Sequence, residues 1–269
     1  MTKALRGPIF GVVMAIAINA AMDAAGLSDL SFASLFPLMG VFWFIQRLPR
    51  KSMGFAPGHW RDYGLAIAHP TAIIGAVSAV CLVAGAIDTQ ATHWLSVRSE
   101  FLSALLLSIP LAMLTEEGFF RGWLFASLQR AGLSEGQVVV CTAIAFSLWH
   151  IPAVSMNTAD ALPLAQIPVL LINAVVIGTI WGMLRSVSGS IVVTSVCHAF
   201  WNALVYTLFG FGTTVGALGV RQSAIYGPES GYWGLGLNLV LAIALWQWWK
   251  KSAKRKGSEN ITACSAAVL

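Results

Sequence analysis

Apolar runs divide this chain into pieces of a length that few folds can use. Eight are legible, roughly 8–25, 29–46, 64–87, 100–128, 136–151, 164–185, 190–209 and 232–249. A helix that crosses a bilayer needs about 17–25 predominantly apolar residues, and the first and fifth runs are short by that measure. A water-soluble domain carries about 25% charged residues; here only 10% of 269 residues are charged and 57% are hydrophobic. The chain lacks the polar surface that solubility demands. The expected fold is all-α, a polytopic transmembrane helical bundle of about eight spans. A barrel would need alternating strands of about ten residues instead. The whole of 1–269 reads as a single membrane domain, with no internal repeat and no low-complexity segment.

The formal net charge of +5 does not point to nucleic acid. The basic residues flank apolar runs, as in "RLPRK" (47–51) and "KKSAKRK" (250–256). That is the pattern of cytoplasmic loops meeting a lipid surface. With both termini inside, thirteen of the sixteen Lys and Arg are cytoplasmic, only Arg98 and Arg221 fall outside, and Arg121 lies within a span. The segment "KSMGFAPGHWRDYG" (51–64) reads as a cytoplasmic surface loop with room for a short interfacial helix. Lys3 and Arg6 ahead of "IFGVVMAIAINAAM" resemble a signal peptide, but a retained first helix gives the later runs a consistent topology. Of the four cysteines, Cys81, Cys141, Cys197 and Cys264, none forms CxxC, and at least three lie in apolar runs as small hydrophobes.

Three polar groups interrupt this picture. The first is "EEGFFR", with Glu116, Glu117 and Arg121 inside the fourth run. Ionisable residues at hydrocarbon depth are costly and usually face a water-filled cavity. On a helix, Glu117 and Arg121 share a face, while Glu116 points about 100° away. One carboxylate can neutralise the arginine while the other faces something else, and a tuned glutamate can serve as a general base. The second group is "FSLWHIP" (146–152), where Phe146 and His150 share a face and Pro152 is expected to end the helix just beyond His150. The third is "HAFWN" (198–202), placing His198 and Asn202 on one stripe, each able to donate a hydrogen bond.

Depth ties the three together. At about 1.5 Å per residue, Glu116 and His150 each lie roughly 20 Å from the inner ends of their spans. His198 and Asn202 lie roughly 14 and 20 Å from theirs on the same rise. A structural reading stands beside the functional one: an ion pair between helices, an interfacial histidine, and His–Asn interhelical glue. His59, His69 and His93 receive no role.

The three motifs in order, "EEGFFR", "FSLWH" and "HAFWN", resemble the CPBP family of CAAX prenyl proteases and bacteriocin-processing (Abi) proteins, whose pattern is EExxxR, FxxxH and HxxxN. The resemblance covers residues 100–209, the expected catalytic core. It implies an intramembrane endopeptidase in which Glu116 activates water, His150 helps hold it, and His198 and Asn202 stabilise the oxyanion, with Glu117, Arg121 and Phe146 in support. It implies no cofactor, with zinc on Glu116, His150 and His198 as the alternative; no HExxH is present. The partners it implies are the bilayer and a peptide or membrane-protein substrate in a prokaryotic cell membrane. Nothing in the sequence reads a prenyl group. A non-catalytic scaffold or bacteriocin-immunity protein on the same fold, and a proton-coupled transporter, are the alternatives from other classes.

Overall fold

A computed structural model describes residues 3–90, 92–156 and 162–266, with no strand among them. The helices are α1 (Arg6–Ala24), α2 (Leu35–Gln46), α3 (Arg50–Met53), α4 (Trp60–Val83), α5 (Trp94–Leu114), α6 (Phe125–Arg130), α7 (Glu135–Met156), α8 (Ile167–Ser188), α9 (Ile191–Leu208), α10 (Ser223–Tyr226) and α11 (Tyr232–Ala266). A 3-10 segment, Ser28–Ser34, leads into α2. A π-helix, Glu117–Leu124, links α5 to α6. Among the described residues, seven helical stretches are long and apolar enough to cross a membrane, and they coincide with the first seven apolar runs. The protein is an all-α polytopic bundle and an integral membrane protein.

The eighth run, 232–249, is helical but is not one of those seven, because Trp233, Asn238, Trp246, Gln247, Trp248 and Trp249 dilute its hydropathy. It still packs against α8 and α4, so it belongs to the bundle. The basic side chains beyond residue 252 lie outside the described side chains, as does Cys264.

The core of the bundle is the pair α7 and α8, with α9 carrying α5 and α4 on its flanks and α1 closing on α7. Tight pairing of α7 with α8 follows from spacing. Gly178 and Gly182 are four residues apart on α8 and meet Ala143 and Val139, also four apart, on α7. A Cβ on Gly178 would stand 3.2 Å from the Ala143 Cα, and one on Gly182 would stand 3.0 Å from a Val139 methyl. Small residues at this spacing let helix backbones approach, which is how helices associate where lipid removes the hydrophobic drive.

Two expectations are corrected. The fourth run is not one continuous α-helix: α5 stops at Leu114, Thr115 takes φ −108° and ψ −95°, and the π-helix follows. Pro152 does not end α7, which continues to Met156. Proline removes one donor and crowds the preceding turn, yet a helix between neighbours tolerates it because other groups satisfy the freed backbone. Asn19 Nδ2 of α1 does this for the nearby Trp149 carbonyl, at 2.7 Å.

The segment 50–58 is also more embedded than a surface loop. Met53 is fully buried, the Gly54 carbonyl accepts from Ile191 N at 2.9 Å, and Ser190 Oγ donates to the Ala56 carbonyl. Arg185 is one of the thirteen basic residues that the charge pattern assigns to the cytoplasmic side, yet it is not a loop cation. It is 5% exposed and donates from Nη2 to the Ser52 carbonyl (2.8 Å) and from Nε to the Arg121 carbonyl (2.9 Å).

The α7–α8 crossing yields a test. Gly182→Leu forces Val139 aside and is expected to destabilise the protein by about 1–3 kcal/mol, read as a lowered thermal unfolding temperature in detergent. Gly64→Leu, with open space around its Cβ direction, should leave that temperature nearly unchanged.

Candidate active site

The π-helix sets the two adjacent glutamates to different tasks. In a π turn the backbone pairs i with i+5, and such turns concentrate at functional sites. Here the turn carries Glu117 and Arg121 fully into the bundle, each 0% exposed. Arg121 Nη1 donates to Glu117 Oε1 at 3.0 Å, and its Nη2 donates to the Gly178 carbonyl at 3.4 Å. The guanidinium lies over the Phe146 ring at 4.4 Å and near the Trp181 ring at 5.3 Å. Phe119, Phe120, Trp123 and Phe125 surround this turn and exclude water from it.

Glu117 Oε1 takes a second donor, His198 Nδ1 of α9, also at 3.0 Å. That bond fixes the ring, leaving Nε2 to face the other way. There it meets Glu116 Oε2 at 3.9 Å. Trp181 of α8 backs the same ring, with centroids 4.4 Å apart and planes inclined by 30°. Glu116 itself is 18% exposed, and it opens into a cavity of about 120 Å³.

His150 reaches the cavity from α7. Its Nδ1 donates to the Phe146 carbonyl at 2.8 Å, the acceptor one turn back, so Nε2 keeps its lone pair for whatever occupies the cavity. Phe146 stands edge-on to the His150 ring at 4.5 Å and to the His198 ring at 6.2 Å. Asn202, one turn beyond His198, lines the same space. The cavity therefore gathers Glu116, Phe146, His150, His198 and Asn202, while Glu117 and Arg121 sit behind its wall.

Four further residues enter that the motifs did not reveal. Trp181, Asn173 and Trp201 line the cavity from α8 and α9, and Glu229 lines it from the loop before α11. Trp201 Nε1 donates to Glu229 Oε1 at 2.7 Å. Burial pushes the Glu229 carboxyl above the usual carboxylate range, against the opposing pull of the Trp201 bond and His198; the nearby Glu116 charge pushes it further up. Asn173 and Trp201 belong to the third and fourth turns of spans already identified, so their inward face was readable in principle from helical phase. Glu229 in "GPES" carries no such signal.

The zinc alternative requires Glu116, His150 and His198 to converge. Among the described residues no group of three or more His, Cys, Asp or Glu side chains is placed to hold a metal ion. Each histidine has its Nδ1 engaged, as a metal-bound imidazole usually does, and His198 Nε2 lies 3.9 Å from Glu116 Oε2. His69, given no role, is buried beneath Trp201 with ring centroids 5.2 Å apart, and its Nε2 lies 3.3 Å from Asn238 Oδ1.

The buried pair and the cavity carboxylate should respond differently to mutation. Arg121→Ala strands Glu117 without its cation and is expected to cost about 3–5 kcal/mol of stability. Glu116→Gln keeps the shape of a half-buried group that borders water, and should cost about 1 kcal/mol or less. Thermal unfolding of both variants in one detergent measures the contrast.

A family model described as type II CAAX prenyl endopeptidase, Rce1-like, matches residues 98–204. That interval contains Glu116, Glu117, Arg121, Phe146, His150, His198 and Asn202, and it runs from α5 to the last turn of α9. No curated protein matches the chain. Over residues 98–204 the chain is thus similar to the Rce1-like type II CAAX prenyl endopeptidases, which are the CPBP/CAAX protease family.

Proposed function

We propose that the protein is an intramembrane endopeptidase of the glutamate type, acting on a peptide or a membrane-protein segment. The observation that carries the reading is the cavity among the apolar helices that Glu116, His150, His198 and Asn202 line together. A water molecule there loses one proton to Glu116 while its other hydrogen points to the free Nε2 of His150. Its oxygen then attacks the scissile carbonyl. The developing oxyanion is met by the Asn202 amide and by the His198 Nε2–H of the imidazolium form. The C–N bond breaks, and Glu116 returns its proton to the leaving amine.

Glu117 and Arg121 act from behind. The Arg121 guanidinium pairs with Glu117, Glu117 holds the His198 ring in place, and His198 presents Nε2 to the cavity. Phe146 gives one face to the arginine and its edge to both histidines. The reaction runs without a metal ion in this reading. The protein sits in a prokaryotic cell membrane with both termini on the cytoplasmic side, as the basic residues flanking the apolar runs favour.

Peptide-library digestion by the purified protein in detergent tests the proposal. Hydrolysis should survive a strong chelator and should vanish in Glu116→Ala. Asn202→Ala should lower kcat about 100- to 1,000-fold, the usual cost of one oxyanion donor, with little change in KM. Loss of hydrolysis on chelation, restored by zinc, would overturn the metal-free mechanism; full activity in Glu116→Ala would overturn the assignment of the base.

A further inference from the structure

The loop between α10 and α11 is built to hold one carboxylate at the wall of the reaction cavity. Trp201 Nε1 fixes Glu229 Oε1 at 2.7 Å. Asn173 Nδ2 donates to the carbonyls of Pro228 (2.8 Å) and Glu229 (2.9 Å), fastening the backbone on both sides of the preceding peptide. Both anchors are buried, each 1% exposed, and both come from the helices that form the site. Trp201 follows His198 by three residues, so Glu229 and the reacting groups share one rigid support.

Glu229 also stands at a boundary. Together with Phe211 it lines both the inner cavity and a second cavity of about 110 Å³ beneath the 209–230 loop. A chain passing from the outer space to Glu116 passes this carboxylate. Arg221 lies on the outer wall only. The inner wall, among the described residues, has two carboxylates, Glu116 and Glu229, and no Lys or Arg. The Arg121 guanidinium is turned away to Glu117. Trp181, Trp201, Tyr206 and Phe211 line the same space. Carboxylate and aromatic faces in a space screened from bulk water are the groups that bind an organic cation.

We propose that Glu229 determines specificity by binding a cationic side chain of the substrate, lysine or arginine, close to the scissile bond. The inference rests on the protease reading for its substrate and adds the class of residue that the substrate presents. The alternative role, a loop anchor through Trp201 alone, needs no negative charge.

The test uses two fluorogenic peptides of one apolar sequence, differing only by Lys or Gln at a single central position. Wild-type protein should show kcat/KM about 10- to 100-fold higher for the Lys peptide, the range for a hydrogen bond to a charged group. In Glu229→Gln, which keeps an oxygen for Trp201, the ratio should fall to about one; Glu229→Asp, which keeps the charge, should restore part of it. An undiminished Lys preference in Glu229→Gln overturns the proposal, since a loop anchor predicts that result. Binding of the same labelled peptides to Glu116→Ala, by fluorescence polarisation, separates the two readings. Tighter binding of the Lys peptide that disappears in the Glu116→Ala, Glu229→Gln double variant supports Glu229 even without hydrolysis, in which case only the protease reading fails. Equal binding of both peptides overturns the role of Glu229.

Discussion

A single oxygen, Glu117 Oε1, receives Arg121 Nη1 and His198 Nδ1 at 3.0 Å each, with all three groups nearly or wholly buried. Removing charges from water costs several kcal/mol per ion, and only close, hydrogen-bonded geometry recovers it. The arrangement is therefore intolerant of displacement: a shift of α9 against the π-helix would leave a carboxylate uncompensated in an apolar core. That intolerance is useful. It makes the position of the His198 ring a consequence of a charge-neutralising contact, so that Nε2 faces Glu116 without any contact from the substrate. Trp181 against one face and Phe146 at the edge confine what rotation remains.

The backbone solves a second problem that follows from the first. Adjacent glutamates on a regular α-helix diverge by about 100°, and the shape of the turn decides whether one can be buried while its neighbour borders water. The π-helix widens the turn at that place, and a widened turn opens its own hydrogen-bond ladder. Arg185 compensates: its Nε donates to the Arg121 carbonyl, and its Nη2 bonds Ser52 of the segment packed beneath. One buried arginine thereby supports the main chain of the residue whose side chain holds Glu117. The segment 50–58, far from the cavity, belongs to this support through Ser52, Gly54 and Ala56.

These features explain what could be read without coordinates. Hydropathy located eight runs, and seven of them are helical stretches long and apolar enough to cross a membrane, because run length is a direct image of bilayer thickness. Fixed i, i+4 spacing put Glu117 with Arg121 and His198 with Asn202 on common faces, and the structure keeps both relations. The π-helix left no trace in "TEEGFF", since its stability comes from tertiary partners such as Arg185 rather than from local propensity. Pro152 misled for the same reason: its cost is real, but packing against α1 and α8 overrides it. Arg185, at the end of a run, looked like a loop cation because sequence shows proximity to a terminus and not what folds over it. Glu229 was illegible because its placement depends on Trp201 and Asn173, which are 28 and 56 residues away in the chain.

For the proposed hydrolysis, water is the reactant that an apolar bundle has most difficulty supplying. A buried water requires two to four polar partners and a modest volume. The cavity of about 120 Å³ meets both conditions, with Glu116, His150, Asn202 and Glu229 along its walls. The rest of the lining is mostly apolar and aromatic, including Leu170, Ile177, Trp181 and Trp201. This mixture matters for the chemistry. Enough polar groups are present to hold water, while the apolar remainder keeps the local dielectric low, where fixed donors stabilise a developing charge far more than they do in bulk solvent. In the proposed mechanism burial cost and catalytic strength have one origin. The expense of carrying Glu116 into an apolar bundle is reduced by the cavity it faces, and the surroundings that make the expense large are those that would make Asn202 and His198 effective against an oxyanion.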